Sequence, residues 1–509
     1  MAAWHTPCLA RPPHPRRTHE RPCPRAVHVN RCLFACGVAL ALARNALAQA
    51  DPGASPPARA ASAAAQADRV EGPKVEGGRI TGAGAVAEDE LTPDSAPPGD
   101  KAFKWSAGWK MWHGLNFSAS QRTGFDDPAS KRPFLNLNEV KFAGSIGGRL
   151  EVDGAAFGTN GSLSGFDDGF ALRRARLTAR GASTLGVDFS YRVDLGYAAG
   201  GFTVTQAYLA VPKMGALGTL EFGQFTPPVG LQVVTSSWDI PFMEPAAPLQ
   251  AMAPPSQPGI QASNTFLDQR GTWTLGAYAG IGSGDYGGSS KDFANVMGRI
   301  TGLAIDGIDE GRPRANRYLH LGLSANLQFA SGGQIRYRSR PESYLAPYVI
   351  DTGSIDASGA TTLDAELLWV QGPFSAQAEV IWSRIETQAS GILDFSGAYA
   401  LASWFLTGES RPYARAKGEP GRIVPLRNFG FGPDAGWGAF ELAARASYTN
   451  LSDGAVQGGR LSMLMTSLNW TLRPELKCMF ELGSGRVSGA ASGNGRVVIG
   501  QLRLGVYFF

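Results

Sequence analysis

The sequence predicts an all-β fold, a transmembrane antiparallel β-barrel of 16 strands. From about residue 140 onward, short segments alternate apolar and polar residues with period two, which is typical of half-buried strands. The 509 residues include 65 glycines, well above the usual share of about 7%. Outside the first 50 positions no uncharged apolar run reaches the roughly 18 residues of a membrane-spanning helix, which excludes a helical membrane protein. Aromatic residues at 10% exclude a wholly disordered chain.

Residues 1–48 predict a secretory signal peptide. A basic stretch precedes the short apolar run 32–43, and Ala46-Leu47-Ala48 provides the small residues of a cleavage site. The basic stretch is unusually long, so the start site stays open, with Val27 or Val29 as an alternative region. Seven arginines against one glutamate give these 48 residues a charge of 7 − 1 = +6. Because the whole chain carries +4, the remainder carries 4 − 6 = −2, and nucleic-acid binding is not expected.

Three further regions follow the leader. Residues 49–103 are rich in Ala, Pro and Gly and offer too little apolar surface to offset chain entropy, so we predict a disordered linker. We interpret residues 104–139 as an N-terminal periplasmic segment and residues 140–509 as the barrel.

Metal and catalytic chemistry have few candidate residues. Beyond the leader only Cys478, His113 and His320 remain of the cysteines and histidines, so no intrachain disulfide and no cysteine-based metal site can form. An enzymatic barrel with a catalytic histidine is a rival hypothesis, but we expect His320 to be a structural strand residue. The sequence therefore predicts no enzyme activity and no cofactor.

The predicted wall strands have one apolar face and one charged face. Residues 187–195 and 440–448 show this alternation clearly, with acids and arginines in mid-strand on the polar face. A soluble sandwich also alternates, but mid-strand charges of both signs suit a water-filled lumen, and closure removes exposed edge strands. The predicted strands are 140–158, 169–183, 185–198, 201–214, 216–226, 259–268, 271–282, 292–302, 316–329, 361–371, 373–386, 391–407, 436–450, 459–472, 474–486 and 495–508.

The connections are expected to alternate between tight periplasmic turns and longer outer loops. By this count 227–258 and 330–360 are outer loops, whereas 408–435 is long but periplasmic. The segment Ile335–Arg340 also alternates like a strand. Counting it would give an odd total, which single-chain bacterial barrels avoid, so we keep it inside the 330–360 loop.

Several distinctive stretches occur in order along the predicted barrel. They are GGRLEVD at 147–153, FALRRARL at 170–177, GQFTPPVGL at 223–231, TSSWDIPFMEP at 235–245, GIQAS at 259–263, GPFSAQAEV at 372–380, LTGESRPY at 406–413, GWGAFELAAR at 436–445 and QLRLGVYFF at 501–509. In this order and spacing they resemble the OprO/OprP family of phosphate-selective porins. The resemblance implies an outer-membrane barrel with loops folded into the lumen, a homotrimer, and passive diffusion of small anions, with phosphate or polyphosphate as candidate solutes.

An arginine series in the 330–360 loop is the first candidate for the anion pathway. Arg336, Arg338 and Arg340 are spaced so that, in an extended segment, all three point the same way at steps of about 6.5 Å. Arginine suits anion passage because its planar fork binds oxyanions in pairs and stays charged. The resemblance implies that this loop folds into the lumen and carries a basic ladder; the alternative is a solvated loop with scattered charge.

Further candidate arginines lie in the first three strands. Period two places Arg174 and Arg176 on the lumen face and Arg173 on the opposite face near the outer rim, where it could snorkel. The resemblance instead places both Arg173 and Arg174 in the basic track and matches Arg149 to a family arginine. The full candidate pathway is Arg149, Arg173, Arg174, Arg176, Arg192, Arg336, Arg338 and Arg340. The alternative is that these arginines pair with lumen acids for barrel stability, namely Asp194, Asp364, Glu366, Glu379 and Glu441.

The 227–258 loop departs from the family pattern. The resemblance implies basic residues in this constriction loop, but none occurs between Val229 and Gln269, and the loop instead contains Trp238, Asp239 and Glu244. The alternative function is therefore a general or weakly cation-preferring porin, and a second alternative is a structural or adhesive barrel. The 408–435 connection is rich in Arg and Lys, which favours a basic exit funnel or an ordinary exposed turn equally. The expected partners are small anions, outer-membrane lipid and lipopolysaccharide.

Overall fold

A computed structural model describes residues 104–110, 114–122, 135–198, 201–280, 289–291, 293–309, 314–389, 391–433 and 435–508. The predicted signal peptide and linker, residues 1–103, lie outside the described residues, and so does His113. The predicted export through a signal peptide therefore stays a prediction.

The described residues form β-strands and only short helices. The helices are α1 (Leu231–Val234), α2 (Ala247–Met252) and a 3-10 turn at Gly215–Leu217. No helix in the described part of the chain is long and apolar enough to span a membrane. The strands are β1 (Lys104–Lys110), β2 (Gly114–Arg122), β3 (Leu135–Thr159), β4 (Gly169–Ala198), β5 (Gly201–Val211), β6 (Thr219–Phe225), β7 (Gln257–Phe266), β8 (Gly271–Ala279), β9 (Ser289–Lys291), β10 (Ala294–Gly307), β11 (Arg317–Arg336), β12 (Arg338–Ser339), β13 (Ile350–Asp351), β14 (Ile355–Gln371), β15 (Phe374–Thr387), β16 (Gly391–Phe405), β17 (Tyr413–Ala414), β18 (Glu419–Pro420), β19 (Ala439–Asp453), β20 (Val456–Arg473), β21 (Leu476–Ser488) and β22 (Gly495–Phe508).

The wall closes into an antiparallel ring, which confirms the predicted barrel. From β3 onward each wall strand pairs with the next, and β22 returns to β3 with Val497 opposite Thr159. A ring in which all neighbours are antiparallel needs an even number of strands, yet the elements in the ring number 15, namely β3–β8, β10, β11, β14–β16 and β19–β22.

The long element β4 supplies the sixteenth strand because it folds back on itself. Nη1 of Arg176 lies 3.9 Å from Oδ2 of Asp194. A single extended strand would separate these residues by about 60 Å. The two arms of β4 therefore correspond to the predicted strands 169–183 and 185–198, and all 16 predicted wall strands have a counterpart.

Strand ends deviate from the prediction mainly at the rim. β11 continues to Arg336 and β14 begins at Ile355, because Ile335 pairs with Ile355 beyond a register shift after Phe329. The segment Ile335–Arg340 is therefore divided: Ile335 and Arg336 end β11, and Arg338 and Ser339 form β12. β12 pairs with β13 inside the loop and adds no strand to the wall.

The wall is apolar outside and polar inside, as period two requires. On β14, Leu363 and Trp369 are exposed on the outer face, whereas Asp364 and Glu366 are buried on the inner face. At one end of the barrel aromatic pairs stack across neighbouring strands, such as Phe440 on Trp470 with ring centroids 5.4 Å apart. An apolar band bordered by aromatic residues is typical of outer-membrane barrels.

Two long loops fill much of the lumen. The predicted constriction loop, 227–258, occupies residues 226–256 between β6 and β7. It contains α1 and α2 and is buried along most of its length. The ladder loop, residues 337–354, contains β12 and β13. Apolar residues of both loops, including Phe242 and Val349, form one buried cluster with inward-facing wall residues such as Phe395 and Leu461.

A hairpin extends the wall at β3. β1 pairs with β2, and β2 pairs with the first part of β3, where Leu115 lies opposite Ile146. The pairing of β3 with β22 ends close to this point, where Phe508 lies opposite Gly148. The ring of Trp109 lies 6.4 Å from that of Phe508. This hairpin falls in the segment 104–139 that the sequence separates from the barrel.

Candidate pore lining

The constriction loop is attached to the wall through Glu244. Its carboxylate accepts two hydrogen bonds from Arg173, at 2.7 and 3.0 Å, and a third at 2.7 Å from Arg503 on β22. Burial alone would raise the pKa of Glu244, but the guanidiniums of Arg173 and Arg503 outweigh it and lower the pKa to about 2. The predicted loop acid is therefore an ion-paired anchor.

Wall carboxylates hold the backbone amides of the same loop. Glu379 of β15 accepts from the N–H of Leu231 at 2.6 Å and of Gln232 at 3.0 Å. Glu481 of β21 accepts from the N–H of Met243 at 2.5 Å. Because a loop inside a barrel lacks a neighbouring strand, these carboxylates satisfy amides that would otherwise be buried without a partner.

Wall cations hold the loop's carbonyl oxygens in the same way. Nζ of Lys477 donates to the carbonyls of Trp238 and Ile240, at 3.1 and 3.3 Å. Arg445 of β19 donates to the carbonyl of Glu244 at 3.0 Å. Arg411, in the 408–435 connection, donates to the carbonyl of Asp239 at 3.1 Å.

Of the other two predicted constriction residues, Trp238 faces the wall and Asp239 lies beside the 408–435 connection. The ring of Trp238 is buried, with its centroid 5.7 Å from that of Tyr507. Oδ1 of Asp239 lies 3.8 Å from Nε of Arg422.

The prediction that Arg173 faces away from the lumen is wrong. The register between β3 and β4 shifts at Glu151, which lies opposite Arg174, whereas Val152 lies opposite Leu172. Arg173 is the extra residue of this β-bulge, and a bulge redirects side chains by breaking the two-residue period. Arg173 and Arg174 are consequently both buried on the inside.

Arginines outnumber carboxylates along β3 and β4. Glu151 pairs with Arg149 at 3.3 Å and with Arg174 at 2.7 Å. Asp194 pairs with Arg192 at 3.0 Å and lies 3.9 Å from Arg176. Glu151 also lies 3.6 Å from Arg503, so Glu151 is shared by three guanidiniums and Asp194 by two. The predicted pairing with Asp194 therefore occurs while arginines remain in excess around both carboxylates.

The remaining predicted lumen acids divide into two groups. Glu441 pairs with Arg411 of the 408–435 connection. Asp364, Glu366 and Glu379 lie together on β14 and β15.

The arginine series of the ladder loop shares one face. Arg336, Arg338 and Arg340 are half-buried, whereas Tyr337 and Ser339 between them are buried. Arg336 pairs with Asp351, and this contact lowers the pKa of Asp351 although burial would raise it. Asp351 also lies opposite Arg338 in the ladder between β12 and β13, but among the residues that the structure describes no carboxylate lies within salt-bridge distance of Arg338 or Arg340.

Two tyrosines connect this series to the wall. Tyr348 lies under both Arg338 and Arg340, with guanidinium carbons 4.1 and 4.5 Å from the ring centroid. Tyr344 lies between Arg340, at 5.4 Å, and Arg173, at 4.3 Å. The result is a continuous array of alternating arginine and tyrosine side chains, which we call the Arg–Tyr array. Sequence reasoning missed both tyrosines, although Tyr344 and Tyr348 follow the arginines closely in the same loop.

The long 408–435 connection also reaches inward. Arg415 forms two hydrogen bonds with Asp306, at 2.6 and 2.8 Å, and Arg422 lies over the ring of Tyr507 at 4.0 Å. The predicted basic residues here are thus engaged with the wall, and the exit funnel stays a hypothesis.

His320 is a structural strand residue, as expected. It is fully buried on β11, and its two ring nitrogens contact Tyr413 at 2.7 Å and Glu366 at 3.0 Å.

Together, a closed wall with an apolar exterior and a charged interior narrowed by two loops defines an outer-membrane β-barrel of the porin class. The family model "Phosphate-selective porin O and P" matches residues 145–508. The chain belongs to this family, which confirms the resemblance seen in the sequence. As a member of a porin family it is an outer-membrane protein and not an enzyme.

The individual relatives share only about a quarter of their residues with this chain over the aligned regions. An uncharacterized protein from Caulobacter vibrioides is 27% identical over 330 residues, covering 64% of this chain and 64% of that protein. Porin O from Pseudomonas aeruginosa is 26% identical over 310 residues, covering 54% of this chain and 67% of that protein. The structural alignment with an anion-selective porin from Comamonas acidovorans covers 72% of this chain and 100% of the porin chain, at 12% identity and a TM-score of 0.44.

Proposed function

We propose that this protein is an outer-membrane porin through which small anions diffuse passively. The observation that carries the proposal is the Arg–Tyr array, which runs from Arg338 in the ladder loop to Arg173 on the wall. Fixed guanidiniums at short intervals can pass an anion from one site to the next without binding it tightly at any single one.

The stacked tyrosines suit such a pathway. A tyrosine ring orients a guanidinium through cation–π contact without neutralising its charge, unlike a carboxylate partner. The positive charges of Arg338 and Arg340 are therefore not neutralised. Nη1 of Arg340 donates to the backbone carbonyls of Tyr344, at 2.6 Å, and Ala346, which fixes the guanidinium in place. The other N–H groups of the two guanidiniums can bind a passing anion. The surplus of arginines around Glu151 and Asp194 extends positive charge along β3 and β4.

The acids of the constriction loop give little support to the cation-preferring alternative. Glu244 is enclosed by Arg173 and Arg503, and Asp239 lies beside Arg422. Their charges are offset by cations of the wall and of the 408–435 connection, so the loop's acidic composition does not by itself produce a negative constriction.

Phosphate or polyphosphate is the solute class that the geometry favours among anions. A guanidinium fork pairs with two oxygens of one phosphate group, which distinguishes it from chloride. We also propose a homotrimer in contact with outer-membrane lipid and lipopolysaccharide, which the family resemblance and the apolar outer face support.

The test is a planar-bilayer recording of the purified protein. In a potassium chloride gradient, we expect a reversal potential shifted toward that of chloride. The variant Arg338→Gln should reduce this shift, whereas Arg384→Gln removes the same charge from an exposed rim position paired with Asp394 and should not. Low concentrations of phosphate should inhibit the chloride current.

Each contrary result has a definite meaning. Preference for potassium would refute the anion pathway, and a silent bilayer would favour the structural barrel. Chloride current that is insensitive to phosphate would leave an anion porin without phosphate preference.

A further inference from the structure

A buried group of three carboxylates lies on the lumen side of β14 and β15, outside the candidate anion pathway. Asp364, Glu366 and Glu379 each offer an oxygen, and these oxygens lie within 4.8 Å of one another. Glu366 and Glu379 are direct cross-strand neighbours. Like charges directly opposite on a sheet destabilise it, so this group needs positive charge close by.

The surrounding protein groups do not fully satisfy the carboxylate of Asp364. Its side chain is 2% exposed, and neither of its carboxylate oxygens accepts a hydrogen bond. Oε2 of Glu366, also buried, lacks a hydrogen-bond partner as well. A buried carboxylate without a donor is costly, and native proteins rarely tolerate one without an ion, water or proton to satisfy it.

The rest of the group is held firmly in position. Oε1 of Glu366 accepts from Nε of Arg299 at 2.9 Å and contacts the His320 ring at 3.0 Å. Glu379 accepts from the backbone amides of Leu231 and Gln232. The oxygens without partners therefore belong to side chains with fixed orientation, which favours a defined site.

The charges leave a negative excess. When all three carboxylates are ionised they carry −3, and the guanidinium of Arg299 contributes +1, which gives −2. If His320 is protonated, the excess is −1. A divalent cation would neutralise this excess and give Asp364 the partner that it otherwise lacks.

We propose that Asp364, Glu366 and Glu379 bind a divalent cation, and that the cation is Ca²⁺. Carboxylate oxygens are the ligands that hard cations prefer. Ca²⁺–oxygen distances of about 2.3–2.6 Å allow one ion to reach oxygens up to about 5 Å apart, whereas Mg²⁺ at about 2.1 Å reaches only about 4.2 Å. A spread of up to 4.8 Å thus suits Ca²⁺ without contraction of the site.

Neighbouring positions on β11 can complete the coordination. Ser324 lies directly opposite Asp364 in the ladder between β11 and β14, and Asn326 lies diagonally, opposite Thr362. Oδ1 of Asn326 is buried and has no hydrogen-bond partner. An amide oxygen is an ordinary Ca²⁺ ligand.

The bound ion has a structural consequence for the lumen. Glu379 holds the start of α1 in the constriction loop, so a cation shared by Glu379 and Asp364 braces that loop against two wall strands. The proposal does not depend on which solute passes through the barrel.

The test is calcium binding to the wild-type protein, refolded in detergent free of lipopolysaccharide and treated with EGTA. Titration calorimetry with calcium chloride should give one ion per chain. The variant Asp364→Asn should weaken binding at least tenfold. The control Asp356→Asn removes a carboxylate from an exposed position of the same strand, where it accepts from Gln334, and should bind like the wild type.

A second measurement decides the matter if Asp364→Asn fails to fold. The thermal unfolding midpoint of the wild type should rise by several degrees in calcium chloride, and should not rise in sodium chloride of equal ionic strength. Absence of calcium binding by the wild type, or undiminished binding by a folded Asp364→Asn variant, would overturn the proposal.

Discussion

Replacement of Glu244 by glutamine should loosen the constriction loop. The change keeps the shape of the side chain but removes the negative charge that Arg173 and Arg503 share. Both guanidiniums are buried, so each loses a charged acceptor without gaining water in exchange. Breaking a buried ion pair by removing one partner typically costs about 3–5 kcal/mol.

The lowered pKa of Glu244, which arises from the same ion pairs, corresponds to a similar magnitude. A shift from 4.5 to about 2 corresponds to about 3 kcal/mol at about 1.4 kcal/mol per pH unit. Because the pKa in the folded protein is lower than in the unfolded chain, this contribution is complete above about pH 5. It is lost as the pH falls from the unfolded-state pKa toward about 2.

The assay is guanidinium denaturation in detergent, followed by tryptophan fluorescence between pH 3 and pH 7. The wild type should lose stability toward pH 3, and Glu244→Gln should start lower and lose less over the same range. Glu386→Gln, which removes an exposed carboxylate near the end of β15, is the matched control and should behave like the wild type. Equal stability of wild type and Glu244→Gln at pH 7 would refute the anchoring role.

Two further substitutions test the interior. Tyr348→Leu removes the ring under two arginines of the Arg–Tyr array and should reduce anion preference in the reversal-potential measurement. The control Tyr448→Leu changes a tyrosine on the outer face and should have no such effect. An unchanged reversal potential in Tyr348→Leu would exclude Tyr348 from the pathway. Gly322→Ala would place a Cβ 2.1 Å from Oε1 of Glu366 and should destabilise the barrel by about 1–3 kcal/mol in the denaturation assay. Gly302→Ala, at a position with no atom within 4 Å, should leave stability nearly unchanged, and equal effects of both changes would contradict the steric argument.

The wall could be predicted from the sequence because its cause is local. Lipid outside and water or polar groups inside impose period two on every strand, so alternation identifies the strands without knowledge of their neighbours. The ends of β11 and β14 were predicted less well. There, pairing of Ile335 with Ile355 continues the strands into the rim, and pairing of this kind depends on the partner strand as well as on the local pattern.

The direction of Arg173 could not be predicted from alternation. A β-bulge adds one residue and reverses the faces on one side of it, and the sequence FALRRARL contains no glycine or proline to mark the irregularity. The family resemblance placed Arg173 and Arg174 together in the basic track, and the bulge is the physical reason that both side chains can point inward.

The partners of the candidate site were missed for a different reason. Arg173 with Glu244 and Arg445 with Glu342 join residues that are separated by 71 and 103 positions in the chain. No periodicity links such residues, because their proximity arises only when the loops fold into a closed ring. The sequence shows that the lumen contains charges of both signs, but the assignment of each acid to an arginine requires the fold.

This distinction bears on the sign of charge at the constriction. The composition of the constriction loop alone suggests a negative field, since the loop has acids and no bases between Val229 and Gln269. In the folded barrel the cations lie on the wall instead, where Arg173, Arg503 and Lys477 bind the loop's carboxylate and carbonyl oxygens. The loop without basic residues and the basic wall are therefore complementary in charge, and the wall's cations hold the loop in place. Substituting basic residues into the loop would place like charges next to these cations, so we expect such variants to displace the loop before they increase anion affinity.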